Sequence, residues 1–321
     1  SLSGDANYTL QANHDVIFNA TVAFGSAAGK TVSITATNNI FSTGFAVSTA
    51  GGALTLNSAT MALGGIDTGA GLLTINNSGA AAQAAAFVGS GGLSKLGAGT
   101  LTLSQANTYT GTTTVSGGIL NVSGSLASTG SLVVSGGTLD LQTKNQQFAG
   151  VQQTSGTIQN GTVTLNAGNY DLQGGTVSAV LAGSAGLSKT GAGTATLSAA
   201  NSYTGATSIG NGVLALTVDS ALGTTATGTT VASGAVLDLQ NVAYGTAEAL
   251  TLNGGTLRTS TGASSFAGAV SLSGSPVINI SGTSLTLNGA VDGGAALQTT
   301  GSGFVQFGGA VGSLTPLTSI L

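Results

Sequence analysis

The sequence predicts an all-β chain wound as a parallel β-solenoid, and three observations predict it. Short stretches alternate apolar and polar residues along the whole chain, Gly-rich turns separate them, and one block of twenty residues occurs twice. Alternation with period two is the strand signature, and no helical period is sustained over about ten residues. Glycine fills 54 of 321 positions, well above the usual share of about 7%, as a chain of many tight turns requires.

In chain order the alternating segments include "LTLNS" from Leu54, "LTINN" from Leu73, "VTLNA" from Val163, "LTLNG" from Leu250 and "LTLNG" from Leu285. Each reads apolar, Thr, apolar, Asn, so two apolar side chains point to one face and Thr and Asn to the other. Leu54 and Leu73 are 19 residues apart, and Leu250 and Leu285 are 35 apart, close to two such steps. A step of roughly 17 to 20 residues, holding a strand and Gly-rich turns, is what one solenoid coil looks like. The rival is an antiparallel sandwich, whose strands recur every 8 to 12 residues or so. At roughly 18 residues per coil and about 4.8 Å between stacked strands, the chain makes a rod on the order of 80 Å long.

The twenty-residue block is "GLSKLGAGTLTLSQANTYTG" at 92–111 and, 94 positions later, "GLSKTGAGTATLSAANSYTG" at 186–205, identical at sixteen of twenty positions. With its continuations "GGIL" at 117–120 and "NGVL" at 211–214, it resembles the passenger-associated repeat of bacterial autotransporters. The residues that carry the likeness are Gly92, Lys95, Gly97, Gly99, Thr100, Asn107, Tyr109 and Gly111, and again Gly186, Lys189, Gly191, Gly193, Thr194, Asn201, Tyr203 and Gly205. The opening "GDANYTLQANHDVIFNATVAFGSAAGKTVSI" is similar instead to exoproteins of the filamentous-haemagglutinin type. The resemblance implies a right-handed parallel β-helix exported to the cell surface of a Gram-negative bacterium or secreted, with roles in adhesion, aggregation or as a shaft. The family's translocator barrel and N-terminal secretion domain are not evident. One continuous solenoid over 1–321 is expected, with haemagglutinin-like coils at 1–88. A first repeat block with its spacer then covers 89–182, a second block 183–260, and the last coils 261–321.

Composition removes several classes of function. Charged residues are 4% against a usual share of about 25%, and five Lys and Arg form no basic patch to neutralise a phosphate backbone, so nucleic acid is not expected as a partner. The most apolar run, "AAAQAAAFV" at 80–88, is about half the length of a membrane-spanning helix. Trp is absent and aromatics are 4%, which argues against an outer-membrane barrel with its aromatic girdles. The chain is therefore not expected to be membrane-embedded. Cysteine is absent, which removes disulfides, thiol nucleophiles and zinc-thiolate sites. No export leader is read at "SLSGDANYTL", so an exported protein would have lost it before this numbering begins.

A search for chemistry yields little. Asp140, Asp171 and Asp238 occupy equivalent settings in "LDLQ", "YDLQ" and "LDLQ", where coil stacking could bring acids together for carboxylate-pair catalysis. Turn or surface residues with local hydrogen bonds are the simpler reading. His14 beside Asp15 could serve a triad, but abundant Ser and Thr make a nearby hydroxyl uninformative. "GAGT" at 97–100 and 191–194 lacks the pattern and the following helix of a phosphate loop. Lys95 and Lys189 read as exposed solubilising charges beside a turn, with anion binding as the functional alternative. Tyr109 and Tyr203 read as packing residues, with sugar stacking as the alternative. No catalytic, cofactor-binding or metal-ligating residue is assigned, and no cofactor is expected.

Three functions remain. The first is a non-enzymatic extracellular β-solenoid, the shaft of an adhesin or filament. The second is a self-assembling subunit of a fibre, sheath or biofilm matrix. The third is a polysaccharide-acting enzyme or binder on the same scaffold. The expected partners are the chain's own copies, end to end or side by side, and glycans or proteins of host or bacterial surfaces. "YTLQA" at one end and "FVQFGGAVGSLTPLTSIL" at the other read as open strands, without the caps and edge charges that usually block end-to-end pairing.

Overall fold

The structure, a computed structural model, describes residues 5–321; the first four residues of the stretch read for an export leader lie outside them. The chain is 55% strand, without a helix among the described residues, and its parallel sheets stack as a β-solenoid of about 16 turns. Two compact units divide it, residues 1–151 with 155–164 and residues 152–154 with 165–321.

In the first unit each coil contributes strands to parallel ladders. One ladder stacks Thr31–Ala36, Ala53–Ser58, Leu73–Asn77, Leu93–Leu96 and Thr113–Val115. Its register aligns Val32, Leu54, Leu73 and Leu93 in one column and Ile34, Leu56, Ile75 and Lys95 in the next inward one. The residues between them, Ser33, Thr55, Thr74 and Ser94, form an outward column. Period-two alternation sets this division, because a slip of one residue would turn every Leu outward. A second ladder stacks Thr60–Leu63, Ala80–Gln83, Thr100–Leu103 and Ile119–Val122. A third stacks Val22–Ala27, Val47–Ala50, Ile66–Asp67 and Phe87–Val88. Leucine, valine, isoleucine and phenylalanine from these ladders fill the interior.

The second unit repeats the plan. Its first ladder stacks Asn169–Leu172, Gly186–Lys189, Thr207–Ile209, Thr229–Ala232, Leu250–Asn253 and Val270–Ser273. The inward column runs Leu172, Lys189, Ile209, Val231, Leu252, Leu272. Ala243–Tyr244, Ala263–Phe266, Ser284–Leu287 and Phe304–Phe307 form a separate parallel ladder.

Leu54 pairs with Leu73, Leu73 with Leu93 and Tyr170 with Leu187, steps of 19, 20 and 17 residues inside the expected range, whereas Val32–Leu54 and Thr207–Thr229 take 22. Some coils thus exceed the expected 17 to 20 or so, because each carries three strands and the turns between them vary. One expectation about spacing needs correction. The 35 residues from Leu250 to Leu285 are not two steps. Leu250 pairs with Val270 in one ladder, whereas Leu285 pairs with Ser264 in another.

Candidate functional site: the repeated corner

The block that occurs twice is the chain's most distinctive feature, and the structure shows what its recurring residues do. Each copy supplies two strands to one coil and two to the next: Leu93–Leu96 and Thr100–Leu103, then Thr113–Val115 and Ile119–Val122. The second copy places Gly186–Lys189 and Thr194–Leu197 below Thr207–Ile209 and Val213–Leu216. The block is a joint between consecutive coils.

Lys95 and Lys189 are not exposed charges; both are fully buried. Each follows an inward Leu, Leu93 or Leu187, by two residues in an alternating strand and so points inward, Lys95 between Ile75 and Val115. The Lys95 ammonium donates to the carbonyls of Leu96, of Gly97 at 3.0 Å and of Gly117, one coil on, at 3.3 Å. Lys189 donates to Gly191 and, one coil on, to the Asn211 carbonyl at 3.1 Å. A tight turn bends these carbonyls inward, where unpaired they would each cost about 1–3 kcal/mol, and the ammonium satisfies them in two coils at once. Burial pushes Lys95 down to about 8. Burial also lowers Lys189, but the Asp171 carboxylate of the preceding coil opposes the shift. Buried in this way, neither lysine is placed to bind an anion from solution.

Asn107 is a second joint. Its Oδ1 accepts from the Phe87 N–H at 2.9 Å and from the Gln83 amide, and its Nδ2 donates to the Ser125 carbonyl at 3.3 Å. It therefore fastens the coil below and the coil above. Asn201 does the same, accepting from the Leu181 N–H at 2.8 Å and donating to the Ala221 carbonyl at 2.6 Å. Tyr109 and Tyr203 are interior residues, 5% and 0% exposed, so they pack and offer no platform for a sugar. Each phenol pairs at 2.7 Å with a threonine hydroxyl four residues on, Thr113 and Thr207. Burial raises both phenols above their ordinary value despite that bond.

The glycines allow the coils to touch. A Cβ on Gly111 would lie 2.5 Å from the Gly91 carbonyl carbon, and one on Gly205 2.4 Å from the Gly186 nitrogen. Gly97 and Gly191 are equally close to backbone of the coil below, at 2.3 Å from the Asn77 oxygen and 2.6 Å from the Gln173 oxygen. Gly99 and Gly193 differ: a Cβ there would meet the Gly79 oxygen at 2.0 Å and the Gln173 oxygen at 3.4 Å.

The acids do not converge on a reacting centre. Asp140 accepts from the Gln142 N–H, the Gln159 amide and the Asn160 amide at 2.8 to 3.0 Å. Partial burial works to raise its pKa, and these hydrogen bonds outweigh that and hold it below the ordinary carboxylate value. Asp171 accepts from Gln152, Gln173 and Thr190. Asp238, fully buried, pairs with Arg258 at 2.9 Å and accepts from the Ser260 hydroxyl at 2.8 Å. Asp140 and Asp171 keep local bonds from Gln142 and Gln173, but Asp238 is not the turn or surface residue expected: it is fully buried, and Arg258 and Ser260 reach it from the next coil. His14 pairs with Asp15 at 2.9 Å and is largely exposed. Asp15 is bound in turn by the Asn39 amide at 2.7 Å. Among the described residues no three His, Cys, Asp or Glu gather as metal ligands, and no helix is long and apolar enough to cross a membrane.

One unusual residue escaped the sequence reading. Glu248 is 1% exposed, its Oε1 accepts from the Thr229 hydroxyl at 2.5 Å, and its Oε2 is buried without a hydrogen-bond partner. The signal was the single Glu of the chain, set between alanines in "TAEAL".

No curated protein and no solved structure matches the chain. A family model, the passenger-associated-transport-repeat, does, at residues 93–122 and 187–216, which take in the two sets of four strands described above except for Gly186. Over these two stretches the chain is similar to that repeat.

Proposed function

We propose that this chain acts as an exported passenger of the autotransporter kind, at the surface of a Gram-negative bacterium or released from it. In this reading it is a non-enzymatic shaft with an adhesive outer face. The observation that carries the reading is the pair of transport repeats, each built as a joint between coils of a β-solenoid. Their recurring residues are spent on coil-to-coil bonds and not on a reaction centre. The outer face suits repetitive contact: Ser188, Ser208, Thr230, Thr251 and Ser271 form one column in the second unit, a hydroxyl about every 4.8 Å. Glycans and proteins of cell surfaces are the expected partners. A second reading, side-by-side assembly of copies, is favoured by the run of five uncharged hydroxyl residues between Asp171 and Asp292 in that column, since edge and face charges are the usual guard against sheet association.

Electron microscopy of the purified chain over a concentration series, paired with binding to immobilised cell-surface glycans, tests both. Discrete rods that bind at all concentrations support the shaft. Concentration-dependent bundles favour assembly, and discrete rods that bind nothing remove the adhesive role.

A further inference from the structure

Glu248 lies in the turn after Ala243–Tyr244 and before Leu250–Asn253, and its side chain enters the interior between two coils of the second unit. The coil above seals it in: a Cβ on Gly268 would lie 1.6 Å from the Glu248 carbonyl oxygen, so that coil rests directly on its backbone. The titratable groups it acts on are two buried phenols, Tyr203 and Tyr244. Tyr203 comes from two coils below and is hydrogen-bonded to Thr207, and Tyr244 belongs to Glu248's own coil and stacks on Phe266 at 5.4 Å. Asp219, the next acid, acts on Tyr244. Among the described residues no lysine, arginine or histidine pairs with Glu248. Among the described residues the carboxyl takes one hydrogen bond, from Thr229, one coil below. That coil is also joined by the Thr229 N–H to the Ala249 carbonyl at 2.8 Å.

A carboxylate in this place would carry a buried charge with one hydrogen bond and no counter-ion, whereas a neutral carboxyl avoids the charge and keeps the bond to Thr229. We propose that Glu248 is an acid-operated clamp: protonated, it holds its coil on the coil of Thr229, and ionised, it loosens that one joint. The sign follows from linkage. Burial raises the folded carboxyl to about 7 from an ordinary value of 4.5, with the Thr229 bond pulling the other way. The stabilisation is therefore complete below about 4.5 and is lost as pH rises through about 7. This device is independent of what the outer face binds.

Hydrogen exchange of the intact chain, corrected for intrinsic chemistry, tests it at pH 5.5 and 8.5. Protection of the Thr229 amide, bonded across this joint to the Ala249 carbonyl, should fall by up to about 30-fold over that range, while that of Leu73 and Leu93 in the first unit stays level. In Glu248→Gln the fall should disappear. In Thr229→Val, which keeps the acid and removes the donor, the transition should persist and move to higher pH. Level protection at Thr229 in the unaltered chain overturns the clamp. So does an unchanged fall in Glu248→Gln, or a transition in Thr229→Val that does not move up.

Discussion

The two transport repeats share sixteen of twenty residues in their common block, yet they are not the same object. Both keep the lysine on turn carbonyls, the asparagine across three coils, the tyrosine on its threonine and the glycine at the corner. What fills the space between these joints differs. Leu101 in the first copy stacks on Ala81, whereas its counterpart Ala195 stacks on Gly175. The lost volume returns on the opposite ladder, where Tyr170 stands under Leu187 in the place Leu73 takes under Leu93. The Tyr170 hydroxyl spans the interior to the Ala182 carbonyl at 2.6 Å and its ring packs on Tyr203. The comparison teaches that the repeat encodes the wiring between coils, and that filling is negotiated with the coil below, since cores accept exchanges that keep total volume.

The sharpest way to break this account is to exchange the fillings. Leu101→Ala should destabilise the first unit by about 2–5 kcal/mol through lost burial and a cavity. Ala195→Leu, which brings in the first copy's residue, should also destabilise, by about 1–3 kcal/mol, because Tyr170 already occupies the space. Denaturant unfolding followed by circular dichroism measures both. A stabilised Ala195→Leu would show that the second copy is under-filled and that the volume exchange is not real.

The glycines give the next contrast. Gly99→Ala drives a methyl into backbone of the coil below and should cost about 1–3 kcal/mol, whereas Gly193→Ala should change stability by less than about 0.5 kcal/mol. Equal costs in the same unfolding assay would mean that the two corners approach their neighbours equally closely.

How much of this could be read beforehand depends on what alternation reports. It fixes which side chains share a face, so the strands around Leu54, Leu73 and Leu250 and their inward leucines were legible. It does not say which side of a three-strand coil a strand occupies, so Leu250 and Leu285, alike as "LTLNG", were placed in one series and belong to two. The usual coil length is legible, but the 22-residue steps at Val32–Leu54 and Thr207–Thr229 are not, because turn lengths are settled by contact with the next coil. The buried lysines were misjudged on charge alone, although "LSK" after an inward Leu93 places Lys95 on the inner face. Glu248 needed the structure. Only the stacked coils show that nothing positive meets it.

Asn107 and Asn201 separate the copies by a smaller margin. Truncating either to Ala strands a buried N–H, of Phe87 or of Leu181, at a cost of about 1–3 kcal/mol. Asn107→Ala should cost more, because it also leaves the Gln83 amide unpaired, while the second copy has apolar Val177 opposite Leu197 where Gln83 would stand. Gln83→Val added to Asn107→Ala should therefore recover part of the loss. No recovery would mean that Gln83 is satisfied elsewhere.

The smallest effect lies in the proton affinities of the two lysines. Both ammonium groups are desolvated, and only Lys189 has a carboxylate working against that, Asp171 on the coil below. With Lys95 folded at about 8 and ordinarily at 10.5, the unfolded chain binds the extra proton between those values. The stability this lysine contributes is thus complete above about 10.5 and lost as pH falls through about 8. NMR of the lysine side chains should find Lys95 titrating near 8. Asp171→Asn should move Lys189 further down and leave Lys95 where it is. A Lys189 that ignores Asp171→Asn would show that the two joints are electrostatically alike, leaving the copies to differ only in what fills the space between them.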